Sequence, residues 1–285
     1  MREKLNKYRK NITSQYGEDG IIDFLIKSSK KKINKSCFEV GAGDGSTFSN
    51  TYTLWHSHSW KAILVESNPS RYQRLIKDYG HKDNVTIISK FLSVSGENSV
   101  DQLALKFLPS NITDIGVLSI DIDSFDYHVF KNIKRIKPMI VLVEFNNSIP
   151  AHIDYFDPLD ELFLRCSAKA LERIGNTKGY KLVATTVTNA ILLRKDCFDP
   201  KKHPEAPIEY LFDYEGQAKN NSQPTHLINS QLITSYPIFS KKINTTIKLL
   251  FIIRGWFKSI ARRSEPWKKP SKKIIKRIKE AGMSI

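Results

Sequence analysis

A chain of 285 residues with 40 % hydrophobic content has room for one α/β domain with an ordinary core, plus an appendage. Its formal charge is +16, but residues 241–285 hold fourteen Lys and Arg against Glu265 and Glu280, a net +12 that leaves only +4 for the body. Three scattered cysteines argue against a disulfide framework or a Cys-based metal site, residues 1–10 lack the apolar core of a signal peptide, and no run reaches the roughly 20 apolar residues that span a bilayer; an intracellular chain is expected.

In chain order, Ser14-Gln15-Tyr16-Gly17-Glu18-Asp19 precedes Ile21, Ile22, Leu25 and Ile26, which share one helical face. Ser14 is the expected cap, and the acids suit the positive end of the helix dipole. Next comes Phe38-Glu39-Val40-Gly41-Ala42-Gly43-Asp44-Gly45-Ser46, an apolar run cut by three alternate glycines, followed by a helix-compatible stretch over 47–60. This reads as strand, tight turn and helix start, the build of a nucleotide site in which missing Cβ atoms let a ligand lie against the backbone. The dinucleotide pattern Gly-x-Gly-x-x-Gly is not met, because Ser46 stands where its third glycine belongs. A second strand, Lys61-Ala62-Ile63-Leu64-Val65-Glu66, ends in an acid 23 residues after Gly43. At about that distance, nucleotide-binding βαβ units place a carboxylate on ribose hydroxyls. His56 and His58 do not share a helical face and are read as surface residues; Tyr52, Trp55 and Trp60 are read as packing.

Asn68 and Pro69 start a helix that Gly80 stops, and Val85 to Ser89 is a short strand. A helix over 98–107 is closed by Pro109, and 115–123 is an apolar strand that turns acidic at its end. A helix over 126–136 ends at Pro138, a strand covers 140–144, and Asp157-Pro158 opens a long helix to Ile174. Two strands, 180–186 and 190–194, close the pattern as an antiparallel hairpin. Alternating strands and helices imply a parallel sheet with ligands beyond its carboxyl edge, where Glu66, Asp121, Asp123 and Glu144 are expected. On an extended strand Asp121 and Asp123 share a face about 7 Å apart. They are therefore candidate ligands for a divalent cation, Mg or Mn, with Asp126, His128 or Asn146 adding to the set, or candidates for a general base. The plainer reading is that both cap the following helix.

With these residues in hand, the chain resembles the class I S-adenosylmethionine-dependent methyltransferases, specifically the FkbM-type branch, over residues 14–195. The resemblance rests on Ser14 to Asp19, Glu39 to Gly45, Val65-Glu66-Ser67-Asn68-Pro69, Leu118 to Asp123, Val143-Glu144-Phe145-Asn146 and the late hairpin. It implies a Rossmann-like, mostly parallel seven-stranded sheet with a C-terminal antiparallel hairpin. It further implies that Glu39 anchors the amino-acid end of S-adenosylmethionine, that Gly41 and Gly43 let the backbone approach, and that Glu66 holds the ribose. Asp44, Ser67 and Asp121 complete the expected cofactor set, and the carboxylates at the sheet edge make Asp121, Asp123, Glu144 and His128 the expected catalytic set. One departure is Asp121-Ile122-Asp123-Ser124, where FkbM-type proteins often show Asp-Val-Glu-Gly.

The expected organisation is a methyltransferase domain over 1–200, a loop-rich extension over 201–240 and a basic amphipathic tail over 241–285. The tail combines Leu249, Leu250, Phe251, Trp256 and Phe257 with flanking Lys and Arg, the composition of a helix lying on an anionic membrane, reinforced by a basic stretch to Lys279. Nucleic acid is disfavoured, since the apolar cluster would be surplus to it. The expected activity is O-methylation of a sugar, glycolipid or polysaccharide intermediate at the cytoplasmic face of a membrane. The alternatives are a glycosyltransferase with Asp121 and Asp123 as its Asp-x-Asp, or a non-catalytic membrane-surface scaffold.

Overall fold

The structure, a computed structural model, describes residues 3–108, 113–219, 226–228, 231–233 and 271–282. Seven strands form one sheet: β1 (Ser36–Val40), β2 (Lys61–Glu66), β3 (Val85–Ser89), β4 (Asp114–Ile120), β5 (Lys137–Glu144), β6 (Tyr180–Thr185) and β7 (Asn189–Arg194). Their order is β3-β2-β1-β4-β5-β7-β6. The first five are parallel, and β7 inserts antiparallel between β5 and β6. This is the seven-stranded, mostly parallel sheet with a closing hairpin that the sequence implies. The order reverses between β1 and β4, so the crevice for a ligand opens above their carboxyl ends.

Helices α1 (Glu18–Ser28), α2 (Pro69–Tyr79), α3 (Val100–Phe107), α4 (Asp126–Asn132) and α5 (Ala168–Thr177) accompany the sheet. β1, β4 and β5 are buried on both faces, which is why they read as nearly unbroken apolar runs. Two apolar layers result, one around Phe38, Leu118 and Phe130, the other around Ile22, Leu64 and Trp55. Trp60 joins the second layer, as its packing role requires.

Several boundaries differ from expectation. The stretch 47–60 forms only a π-helical turn, Thr53–Ser57, because Ser49, Asn50 and Thr51 hydrogen-bond to Glu39 instead of continuing a helix. Gly17, at φ 93, takes the cap position before α1, while Ser14 serves as acceptor for the Asp19 N–H one turn further in. α4 stops at Asn132, and Pro138 lies inside β5. No helix starts at Asp157: its carboxylate collects the Phe163 and Arg165 N–H groups and the Tyr155 hydroxyl, folding a loop up to Ser167, which caps α5. Pro109, the expected end of α3, and the apolar tail stretch over 241–263 lie outside the described residues.

Past β7, the short helix α6 (Ile208–Leu211) buries Ile208 and Leu211 on the body, and α7 (Tyr214–Lys219) follows. β8 (His226–Ile228) pairs antiparallel with β9 (Gln231–Ile233). The last described helix, α8 (Lys272–Glu280), lies in the basic stretch assigned to a membrane surface, yet it packs on the body. Ile274 and Ile278 are fully buried against Ile149, Ile153, Tyr155 and Leu164, each contributing about 1.5–3 kcal/mol. Among the described residues no helix is long and apolar enough to cross a membrane.

Candidate functional site

The carboxyl ends of β1, β2, β4 and β5 open into a cleft of about 620 Å³. Its lining includes the predicted Glu39, Gly41, Gly43, Asp44, Glu66, Ser67, Asp121, Asp123 and Glu144. His128 is not among them. It lies on α4, buried, with Nε2 2.7 Å from the Asp157 carbonyl and its ring beside Tyr127 and Phe156; burial lowers its pKa and keeps it neutral. Asn146 is likewise turned away, bonding Leu164 and Ser148.

The glycine turn is built from two different requirements. At Gly41, φ +80, a Cβ would sit 1.7 Å from the Asp121 carbonyl oxygen, so this glycine exists for the crossing of β1 and β4. At Gly43, φ +59, a Cβ would meet nothing within 4 Å, and the space it would enter is the cleft. Gly43 thus presents bare backbone to the cleft. The Gly43 N–H donates to Glu66 Oε2 (2.7 Å), and the Asn68 N–H donates to Oε1 (2.6 Å). Glu66 thus fixes the turn while facing the cleft. Burial works against the Asp44 carboxylate, but the N–H groups of Thr47 and Ser46 outweigh it and hold its pKa below the usual range.

Glu39 is buried with both oxygens engaged: the Asn50 N–H (2.8 Å) donates to one, and the Ser49 and Thr51 hydroxyls (2.6 and 2.7 Å) donate to the other. Burial pushes its pKa up to about 7 despite these donors. Glu39 thereby ties the 49–51 loop to the sheet while lining the cleft.

The far end of the cleft is acidic. β4 stops at Ile120, and the following turn carries Asp123 at φ 54, so Asp121 and Asp123 do not stand on an extended strand as expected. Instead oxygens of Asp121, Asp123 and Glu144 come within 4.8 Å of one another. Neither Asp121 nor Asp123 caps α4; Asp126 holds the turn, accepting from the Ile122 N–H (2.9 Å) and the Ser124 N–H (3.1 Å). Burial pushes Asp126 up to about 7. Burial raises Asp121 and Glu144 as well, and for Glu144 the neighbouring Asp121 charge adds to it. Arg165, on the loop that Asp157 folds, donates from one Nη1 to both Glu144 and Asp123.

Sequence reasoning missed Arg165 entirely; no motif marks it. It also missed the cleft rim, where Phe48 and Phe91 are 61 % and 77 % exposed and Arg71, Arg74 and Lys90 stand nearby. Phe91 lies two residues past the end of β3, so strand order alone would have put it there.

Fit to S-adenosylmethionine can be tested on these features. The open space over Gly43 admits a ligand backbone-close, Glu66 stands at the end of β2, and a predominance of carboxylates along the floor suits a cationic ligand. The residues fit.

No family model matches the sequence, and no curated protein matches it. Among solved structures, the chain is similar to a SAM dependent methyltransferase from Aquifex aeolicus, at 13 % identity and a TM-score of 0.36, over 62 % of this chain and 88 % of that one. It is also similar to the CurJ carbon methyltransferase, at 9 % identity and a TM-score of 0.42, over 62 % of this chain and 52 % of that one. A third similarity is to the citrinin polyketide synthase CMeT domain, at 12 % identity and a TM-score of 0.39, over 62 % and 51 %. The match thus spans about half the length of the latter two. The strand order, seen directly in the sheet, defines the fold independently of these similarities.

Proposed function

We propose that this protein is an S-adenosylmethionine-dependent methyltransferase acting on a hydroxyl oxygen of a sugar, glycolipid or polysaccharide intermediate. The observation that carries this reading is the bare backbone at Gly43 facing an acid-floored cleft at the switch in strand order, with Glu66 beside it. When bound, S-adenosylmethionine supplies an electrophilic methyl group on a sulfonium.

The chain's own work is to bind, orient and take up a proton. Gly43 admits the cofactor against the turn, and Glu66 offers its remaining lone pairs to the ribose hydroxyls. At the acidic end Asp121 is the group that accepts the acceptor hydroxyl's proton, with Glu144 beside it. The Asp121 carboxylate then holds the proton released from the acceptor oxygen. Holding the acceptor oxygen in line is the larger contribution, as expected for a displacement.

Isothermal titration with S-adenosylhomocysteine tests the reading: saturable binding at micromolar concentrations supports it, and absence of binding at millimolar concentrations overturns it. We further read the basic 241–279 segment as the approach to an anionic membrane. Sedimentation with phosphatidylserine vesicles, lost on truncation before Lys241, is the expected result.

A further inference from the structure

The acid cluster already holds a cation. The Arg165 Nη1 that meets Asp123 Oδ1 at 3.1 Å also meets Glu144 Oε2, so one nitrogen bridges two of the three carboxylates that could share a metal. The Arg165 side chain is 23 % exposed, between a nearly buried Glu144 and an Asp123 that is 87 % exposed. A guanidinium suits such a place, since it is weakly hydrated and always charged.

Its position is over-determined. Arg165 has φ 64, a left-handed conformation that a non-glycine residue keeps only when its surroundings enforce it. The enforcing contacts are present: the Arg165 N–H donates to Asp157 Oδ2 (2.5 Å), and the Arg165 carbonyl accepts from the Asp157 N–H (2.7 Å). Beneath the same loop lies α8, whose Arg277 donates to the Phe156 carbonyl (2.8 Å), whose Lys273 meets Asp160 (2.8 Å), and whose Ser271 N–H donates to Glu161 (3.0 Å). Asp123, the other end of the bridge, also has positive φ. Two strained residues joined by an ion pair, on a loop braced from behind, are placed for that pairing.

We infer that Arg165 is the resident cation of this cluster, standing where a divalent metal would otherwise bridge Asp123 and Glu144, so that the acceptor end of the cleft works without metal. The geometry also sets a limit. A metal can enter only by displacing the guanidinium, and three carboxylates stripped of it form an oxygen-ligand set of the kind that takes Mg²⁺ or Mn²⁺. Arg165 is thus a positioning residue for Glu144, and it is the barrier to a metal centre. The bearing on acceptor chemistry rests on the methyltransferase reading; the cation binding does not.

The test is Mn²⁺ titration of the full chain, by calorimetry and by loss of the free-ion paramagnetic signal, on wild type, Arg165→Ala, Arg165→Gly and Arg165→Lys. Arg165→Gly relieves the left-handed strain while removing the guanidinium, which guards against a variant that fails to fold. Expected are no Mn²⁺ binding below millimolar concentration in wild type, at least tenfold tighter binding in the Ala and Gly variants, and a return toward wild type in the Lys variant. Wild-type binding as tight as that of the variants, or no gain in a variant whose circular dichroism matches wild type, overturns the inference. S-adenosylhomocysteine titration of the same samples reads the cofactor site separately, so failure of one does not pass for failure of the other.

Discussion

The two ends of the cleft are built differently. The glycine end, residues 41–51 with Glu66, is held by short hydrogen bonds between buried carboxylates and neighbouring backbone or hydroxyl donors. The acidic end, residues 121–126 with Glu144 and Arg165, is held by an ion-pair bridge between elements far apart in sequence and by two residues in left-handed conformation. Local donors fix a turn as the chain folds, whereas the bridge forms only after β4, β5 and the 157–165 loop have met. The first end is a preformed cradle and the second an assembled one.

Both ends of the cleft depend on Gly41. Gly41→Ala drives a Cβ into the Asp121 carbonyl and is expected to cost roughly 3 kcal/mol or more, read as a fall in melting temperature, because it damages both ends at once. Glu66→Ala removes the acceptor of two backbone N–H groups and the expected ribose contact. Loss of one charged hydrogen bond to the ribose, at about 1.5–3 kcal/mol, predicts that S-adenosylhomocysteine affinity drops about ten- to a hundredfold in calorimetry. Asp126→Ala frees the 122–124 turn and should separate the ends: cofactor affinity stays within about twofold while turnover falls at least about tenfold, and a parallel loss of both measures would refute the division.

The smallest effect is a pH dependence at Glu39, whose pKa burial pushes up to about 7. The folded form binds its proton more tightly than the unfolded chain, whose carboxyl titrates near about 4.3. The associated stability is therefore fully present below about pH 4.3 and is lost as pH rises through about 7. Glu39→Gln, which keeps an acceptor for the 49–51 loop, should flatten that fall in thermal scans.

How much of this the sequence disclosed follows the same division. Strands, their alternation and the antiparallel hairpin were legible because buried parallel strands leave apolar runs punctuated by Gly, Pro and acids. Glu66 and Gly43 were legible because spacing along one local unit fixes their meeting. The helix expected over 47–60 was not, because Glu39 draws three donors out of it, a tertiary demand that no periodicity records. The helix expected from Asp157 failed for the same reason, with Asp157 as the collector. Arg165 is the extreme case: 21 residues from Glu144 and 42 from Asp123, on a loop without pattern, it can be placed only once the loop is folded.

The contact of α8 with the 149–165 loop has a consequence for synthesis. A ribosome that has released residues 1–200 has delivered every strand of the large sheet and the whole glycine cradle, yet not the brace under the loop that bears Arg165. Since chains fold from their N-terminus as they emerge, the glycine end can mature while the polypeptide is still growing, and the acidic end waits for residues 271–280. A nascent chain stalled short of that point would carry a finished glycine turn beside an unbraced acidic loop.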